Sequence, residues 1–290
     1  MILSGKALAD EIQETLKHTI ATLPSPPGLA VILMGDDPAS HAYVTMKRRA
    51  CHQVGVQSFY YHLPETTSEA DLLNLIAEFN QKAEIDGILV QLPLPSHINE
   101  EKIIEAIDPK KDIDGFHPIN IGKLLLGADG GFTPCTPLGI KILLERSHIS
   151  VTGKDVVIVG RSSIVGKPLA ALLMQNKPHC NATVTVVHSR TSNIKDHTKR
   201  ADILIVAVGS PRFIKEDMVK EEAVVVDVGI NREVDPHLPK GYRIVGDVDF
   251  DRVEKKCQAI TPVPKGIGPM TVAMLLQNTL LSYTRKINNK

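Results

Sequence analysis

Tyr43 and Lys47 stand four residues apart in the stretch "SHAYVTMK". On a helix this spacing stacks both side chains on one face, about one turn from each other. A phenol and an amine so placed form either a solvated surface pair or a face arranged to move protons, and the spacing serves both readings. Two other polar residues interrupt apolar runs in the first half of the chain. Gln91 ends "DGILVQ" and leads into "LPLP", which places its amide at the C-terminal mouth of an expected strand, where α/β sheets bind ligands. Asp114 lies in "KDIDGFHP" between an apolar residue and a glycine turn. The plainer alternatives are a strand-end amide bonded to a loop for Gln91 and a turn-forming Asx residue for Asp114.

The second half carries a different kind of chemistry. "VVIVGRSSIVGKPLAALL" (156–173) reads as a strand, a glycine turn and a helix, an arrangement that offers backbone N–H groups and a helix N-terminus to an anion. A magnesium–nucleotide P-loop needs four residues between its glycines, then Lys and a hydroxyl residue. Here five residues separate Gly160 from Gly166, and Lys167 is followed by Pro168, so kinase and ATPase readings lose ground. The G-x-G-x-x-G dinucleotide pattern is not matched either, because Ser162 and Ser163 replace its middle glycine. A longer turn with hydroxyl groups still suits a pyrophosphate; an ordinary glycine turn is the alternative. The next expected strand, "ATVTVVHSRT", ends in Ser189 and Arg190 with no acid. A carboxylate there would bind the ribose hydroxyls of NAD, whereas Arg and Ser would bind a phosphate. With Arg161 in the first turn, the pattern favours NADP over NAD, although Arg190 alone reads equally as a solvated loop charge.

The elements that must position these residues show in the periodicity. "GLAVILMG" (28–35), "VQSFYYHL" (56–63) and "DGILVQLPLP" (86–95) read as strands, separated by the helical patterns "PASHAYVTMKRRACHQVG" and "TSEADLLNLIAEFNQKAE". After Gly153 come "DVVIVG", "ATVTVVH", "ADILIVAVG" and "EAVVVDVG", nearly continuous in β-branched residues, as in parallel strands buried on both faces. The expected fold is therefore α/β, with two domains: a smaller α/β domain and a Rossmann-type parallel-sheet domain, with a cleft between them. Segment 119–150, with "GADGGFTPCTP", reads as the joint, and the C-terminal helix "GPMTVAMLLQNTLLSYTRK" is expected to return to the first domain. The expected division is 1–120 with 269–290, and 121–268.

At 290 residues, 43% hydrophobic and 23% charged, the chain has the composition of a globular protein with a sizeable core. A formal net charge of zero points to no nucleic-acid or acidic-membrane partner. The N-terminus "MILSGKALADEIQ" turns polar after three apolar residues, unlike a signal peptide, and no apolar run reaches the length of a membrane helix. Cys51, Cys135, Cys180 and Cys257 are far apart with no C-x-x-C pair, so no metal site is expected and a reducing, cytoplasmic location fits.

Short-chain dehydrogenases use a Y-x-x-x-K pair, but their glycine turn precedes it in the same domain; here the pair comes first. Over nearly its full length the chain instead resembles the bifunctional methylenetetrahydrofolate dehydrogenase/cyclohydrolase family. The matching segments are "SHAYVTMK", "DGILVQLPLP", "KDIDGFHPINIGKL", "FTPCTPLGI", "GRSSIVGKPLA", "VVVDVGINR", "GDVDF" and "TPVPKGIGPMTVAMLLQNT". The resemblance implies that Lys47 is the main catalytic residue, that Tyr43 lines the folate site, that Gln91 positions Lys47, and that Asp114 binds the pterin. It also implies NADP as cofactor, held by Gly160, Arg161, Ser162, Gly166, Ser189, Arg190 and Ile230, and a homodimer. The chemistry suits these roles. A carboxylate accepts both the amide N–H and the amino group of a pterin. Tyr43 offers an aromatic face to a flat ring. Oxidising the methylene bridge passes a hydride to NADP⁺ and leaves a methenyl cation, which demands positioning. Hydrolysing the methenyl carbon demands proton transfers, which a lysine can serve if its surroundings lower its pKa. One position departs from the family pattern: Pro-Gly-Gly usually follows "TPV", and here Lys265 replaces the first of those glycines.

Overall fold

Seven consecutive buried residues, Gly28–Met34, form β1. A strand buried along its whole length needs neighbours on both edges and cover on both faces. β1 has them: β2 (Gln57–Leu63) and β3 (Gly87–Val90) pair with it on either side, both parallel, in the order β2-β1-β3. Helices α2 (Pro38–Val54) and α3 (Glu69–Gln81) make the parallel crossovers. α1 (Gly5–Ala21) precedes the sheet; α4 (Glu100–Ala106) and α5 (Pro118–Leu126) follow it. One core forms where Ala30, Ile32, Ile88 and Val90 of the sheet meet Leu72, Ile76 and Phe79 of α3 and Ile103 of α4. β3 is shorter than the apolar run that announces it, because the two prolines of "LPLP" cannot donate to a ladder.

After α6 (Cys135–Arg146), a second sheet is built from β4 (Asp155–Val159), β5 (Thr183–Val187), β6 (Ile203–Val206), β7 (Val224–Asp227) and β10 (Ala259–Ile260). Its order is β10-β7-β6-β4-β5, all parallel. The chain goes from β4 to one side, then crosses to β6 on the other, so the direction of winding reverses at β4. Short helices α7 (Gly166–Leu173) and α8 (Ile194–Thr198) lie in the crossovers. An antiparallel pair, β8 (Asn231–Val234) with β9 (Tyr242–Val245), and α9 (Phe250–Val253) lie between β7 and β10. The core here is aliphatic: Val157, Val159, Leu204, Val206, Val225 and Ile260 with Ile214 and Val253.

This computed structural model describes residues 1–238 and 241–288, and the chain divides into two units: Asp10–Cys135 with Val272–Lys290, and Met1–Ala9 with Thr136–Thr271. The sequence reading places the breaks at 120/121 and 268/269. Non-local bonds explain the placement of the flanking segments. Leu3 N–H donates to the Ile260 carbonyl at 2.8 Å, tying the N-terminus to the second sheet. The segment after α5 is tied to the first unit instead, because Phe132 N–H donates to Asn120 Oδ1 at 3.3 Å. The last helix, α10 (Ile267–Asn288), places Ser282 Oγ where it donates to the carbonyls of Asp86 (2.6 Å) and Lys110 (2.8 Å), and Lys286 pairs with Asp86. Segment 119–150 contains most of α5 and all of α6, with Pro118 opening α5 and Gly127 closing it at φ 66. Among the described residues no helix is long and apolar enough to cross a membrane.

Candidate active site

α2 begins sharply. Asp37 Oδ2 accepts the Ser40 N–H at 2.7 Å, Pro38 sits in the first turn, and Gly55 ends the helix at φ 86. From this start Tyr43 and Lys47 fall one turn apart, Tyr43 half-buried and Lys47 only 9% exposed. Burying a lysine needs a partner for its ammonium. β3 supplies it through Gln91, whose backbone N–H continues the ladder by donating to the Ile32 carbonyl at 2.9 Å. The Gln91 amide nitrogen donates to the Leu92 carbonyl at 2.7 Å, which turns Oε1 outward to accept from Lys47 Nζ at 3.1 Å.

Asp112 and Asp114, two residues apart, have separate duties. Asp112 Oδ1 accepts the N–H groups of Gly115 (3.1 Å) and Phe116 (3.2 Å). Its Oδ2 accepts the His117 N–H and the Asn120 amide, each at 2.8 Å. Asp112 is the residue that builds the turn. Asp114 stands where burial pushes its carboxyl up to about 6, against the downward pull of the Lys47 ammonium; Asp112 adds to the rise and the Cys135 thiol opposes it. The thiol is a neutral donor, its own pKa driven well up by burial and by Asp114. Asn278 of α10 fixes this corner by donating to the carbonyls of Ile113 (2.8 Å) and Thr133 (3.2 Å). Tyr43, Lys47, Gln91 and Asp114 thus belong to one unit, in which Gln91 meets Lys47 by a hydrogen bond and Lys47 meets Asp114 by charge.

In the other unit the glycine turn lies at the end of β4. Gly160 has φ 125, and a Cβ there would run into the Ala207 carbonyl, because the β4–β6 ladder continues past the strand ends, with Ala207 N–H donating to the Val159 carbonyl at 2.8 Å. A Cβ on Gly166 would collide with the Gly160 carbonyl. Ser162 Oγ accepts the Val165 N–H at 3.1 Å and the Gly166 N–H at 3.4 Å, closing the loop at the start of α7, while Arg161 is exposed. Beside it β5 ends in a tied turn, with Thr191 N–H donating to the His188 carbonyl at 2.7 Å and Arg190 N–H to His188 Nδ1 at 3.2 Å. That turn leaves Ser189 and Arg190 exposed. Ile230, 46% exposed, follows β7. All seven expected cofactor residues therefore lie beyond the C-terminal ends of β4, β5 and β7. A glycine-lined turn with basic side chains and no acid at the end of β5 fits a phosphorylated dinucleotide. A cavity of about 380 Å³ lies at the N-terminal ends of the same strands, away from these loops, where Lys220 is already paired with Asp202 at 2.6 Å.

Two further carboxylates, not singled out from sequence, organise the loops after β6 and β7. Asp227 accepts the N–H groups of Gly229, Asp247 and Val248, each at 2.9 Å, and burial raises its carboxyl to about 6 against those bonds. Asp247 accepts the N–H groups of Val208 (2.7 Å), Gly209 (2.9 Å) and Ser210 (2.9 Å). Gly229 and Gly246 are glycines because a Cβ would strike these carboxylates. The available signal was the recurrence of Asp beside Gly in "DVG" and "GDVDF"; their pairing is non-local.

Models of the tetrahydrofolate dehydrogenase/cyclohydrolase catalytic domain and of its NAD(P)-binding domain match residues 3–114 and 134–287. The chain belongs to the tetrahydrofolate dehydrogenase/cyclohydrolase family. It is 55% identical over 289 residues to the bifunctional protein FolD of Protochlamydia amoebophila, covering 99% of each chain. Among solved structures, it is similar to the bifunctional FolD methylenetetrahydrofolate dehydrogenase/cyclohydrolase of Campylobacter jejuni, with 49% identity, a TM-score of 0.92 and 99% of each chain covered. The Trypanosoma brucei methylenetetrahydrofolate dehydrogenase-cyclohydrolase, solved with NADP cofactor and inhibitor, aligns at 38% identity and TM-score 0.94, covering 99% of this chain and 98% of that one. Within this family fold, Lys265 holds φ 84, a conformation suited to glycine, while its carbonyl accepts the Lys6 N–H at 2.9 Å.

Proposed function

We propose that this member of the tetrahydrofolate dehydrogenase/cyclohydrolase family oxidises methylenetetrahydrofolate to methenyltetrahydrofolate with NADP⁺, then hydrolyses that product to formyltetrahydrofolate. The observation that carries the reading is the Lys47–Gln91 hydrogen bond of 3.1 Å, made by a buried ammonium beside the Asp114 carboxyl. Asp114 accepts the paired N–H groups of the pterin, and Tyr43 lies against the flat substrate. Lys47, oriented by Gln91, relays protons between water and the folate nitrogen as the methenyl carbon is opened. NADP⁺, when bound, supplies the hydride-accepting chemistry. The turn from Gly160 to Gly166, with Ser162, holds its pyrophosphate; Arg161, Ser189 and Arg190 hold the 2′-phosphate, and Ile230 offers an apolar contact.

The family resemblance supports a homodimer as the working form. The four cysteines, all free thiols, support a reducing, cytoplasmic location. A spectrophotometric assay with methylenetetrahydrofolate tests the function directly, with NADP⁺ or NAD⁺ and with both methenyl accumulation and its hydrolysis followed. Folate-dependent NADP⁺ reduction with consumption of the methenyl product is expected. Folate binding without reduction of either cofactor would leave only a binding module.

A further inference from the structure

Three residues far apart in the sequence meet on the surface of the first unit. Asp36 lies in the loop after β1, His41 in the first turns of α2, and His62 near the end of β2. Parallel pairing sets Leu33 opposite His62, and Gly35, at φ 76, turns the chain so that Asp36 returns towards that ring. Asp36 Oδ1 lies 3.3 Å from Nε2 of His41 and 3.3 Å from Nε2 of His62, and the three atoms lie within 4.8 Å of one another. The two imidazoles meet edge to face with centroids 4.9 Å apart, and Tyr60 stacks on His62 at 6.3 Å, so the ring orientations are supported by packing.

From this geometry we propose that Asp36, His41 and His62 form a binding site for a divalent transition-metal ion of the Zn²⁺, Co²⁺ or Ni²⁺ class. Metal–ligand bonds of about 2.0–2.1 Å in a tetrahedron place neighbouring ligand atoms roughly 3.3–3.4 Å apart. The carboxylate-to-imidazole separations already have that value. Two imidazoles with one carboxylate select a borderline transition ion; magnesium and calcium take oxygen ligands. His62 Nε2 also lies 3.0 Å from the Gly35 carbonyl, so binding must displace the proton shared in that contact. The carbonyl then faces the ion or its water. Asp36 is 86% exposed, which leaves the remaining coordination positions to solvent.

The site lies apart from the folate face. At about 100° per residue, His41 is separated around α2 by roughly 160° from Tyr43 and roughly 120° from Lys47. An ion there clamps the start of α2 to the ends of β1 and β2 without touching the proposed catalytic groups. The proposal therefore stands whether or not the folate chemistry does.

The test uses the full chain without an affinity tag, stripped with chelator and titrated with Co²⁺ and then Zn²⁺. One equivalent of cobalt should give the visible absorption of a four- or five-coordinate ion, and zinc should displace it. His41→Gln, His62→Gln and Asp36→Asn alter exposed or half-exposed side chains, and circular dichroism checks their folding. Each should weaken zinc binding by more than about tenfold, since even outer-shell partners of metal ligands are worth 10–100-fold. Zinc binding of unchanged affinity in the folded variants would overturn the proposal. So would a cobalt–thiolate charge-transfer band, which would place the metal on a cysteine, or a cobalt spectrum that stays that of the hydrated ion in large excess of metal.

Discussion

Replacing Lys47 by methionine separates the two reactions. Methionine keeps most of the length and apolar stem of a side chain that is 9% exposed, and removes the ammonium that donates to Gln91 Oε1 at 3.1 Å. Two losses follow, and they differ in kind. Losing a hydrogen bond from a charged donor costs about 1.5–3 kcal/mol. If that bond helps seat the folate, the loss is common to both reactions and cancels in their ratio. Losing the proton relay falls on hydrolysis alone, because hydride transfer forms the methenyl cation without moving a proton. General acid–base catalysis is worth about 10²–10⁴-fold, or roughly 2.7–5.5 kcal/mol. The ratio of dehydrogenase to cyclohydrolase activity should therefore rise by about two to four orders of magnitude, and the methenyl intermediate should accumulate. The ammonium also holds the Asp114 carboxyl down, so its loss lets that group climb above about 6 and weakens pterin binding near neutrality. Assaying at neutral and mildly alkaline pH separates this effect, since higher pH restores the carboxylate. If both activities fall by one factor at each pH while folding and folate affinity stay intact, Lys47 is not a selective hydrolytic acid–base, and the reasoning fails.

Arg161→Ala removes one charge-assisted contact to the 2′-phosphate, worth about 1.5–3 kcal/mol, so KM for NADP⁺ should rise at least about tenfold with little change for NAD⁺. Equal use of the two cofactors by the wild type would refute the assignment. Lys265→Gly relieves a side chain held at φ 84; the expected gain is about 1 kcal/mol, read as a higher denaturant midpoint, and an unchanged midpoint would mean the loop carries no strain. Asp114→Asn should lower both activities together, while normal folate binding would reduce Asp114 to a loop residue. The same variant tests linkage. The Asp114 carboxyl is raised from 3.8 to about 6 by folding, so the native state binds more protons between those values. Wild-type stability from this group is greatest below its unfolded pKa and falls as pH rises to about 6. Relative to the wild type, Asp114→Asn should gain up to about 2–3 kcal/mol across that interval, measured by denaturation at a series of pH values. A constant difference would contradict the burial argument.

The parts legible in the sequence are those where one local pattern admits one physical solution. "DVVIVG" and "ADILIVAVG" are apolar on both faces, so only a covered parallel strand buries them, and β4 and β6 are such strands. "TSEADLLNLIAEFNQ" carries its own start signal, and Ser68 caps α3 as written. The Gly- and Pro-rich stretch 119–150 serves two purposes: the division between the units, at Cys135/Thr136, falls inside it, and it also holds most of α5 and all of α6. Pro118 opens α5 and Gly127 closes it, so the same residues that break a helix also delimit one. Sites are less legible because they depend on which of several similar groups the fold selects. Asp112 and Asp114 flank Ile113 and share one motif. Only the packing shows that Asp112 accepts four hydrogen bonds to shape the turn, while Asp114 is left beside Lys47. Asp227 and Asp247 meet across 20 residues, and Asp36 meets His41 and His62 across a strand return. In each case the residue type was visible and the partner was not. A carboxylate's role is set by whether the fold surrounds it with backbone N–H groups, an ammonium or imidazoles, and that choice is made by the non-local register of the strands.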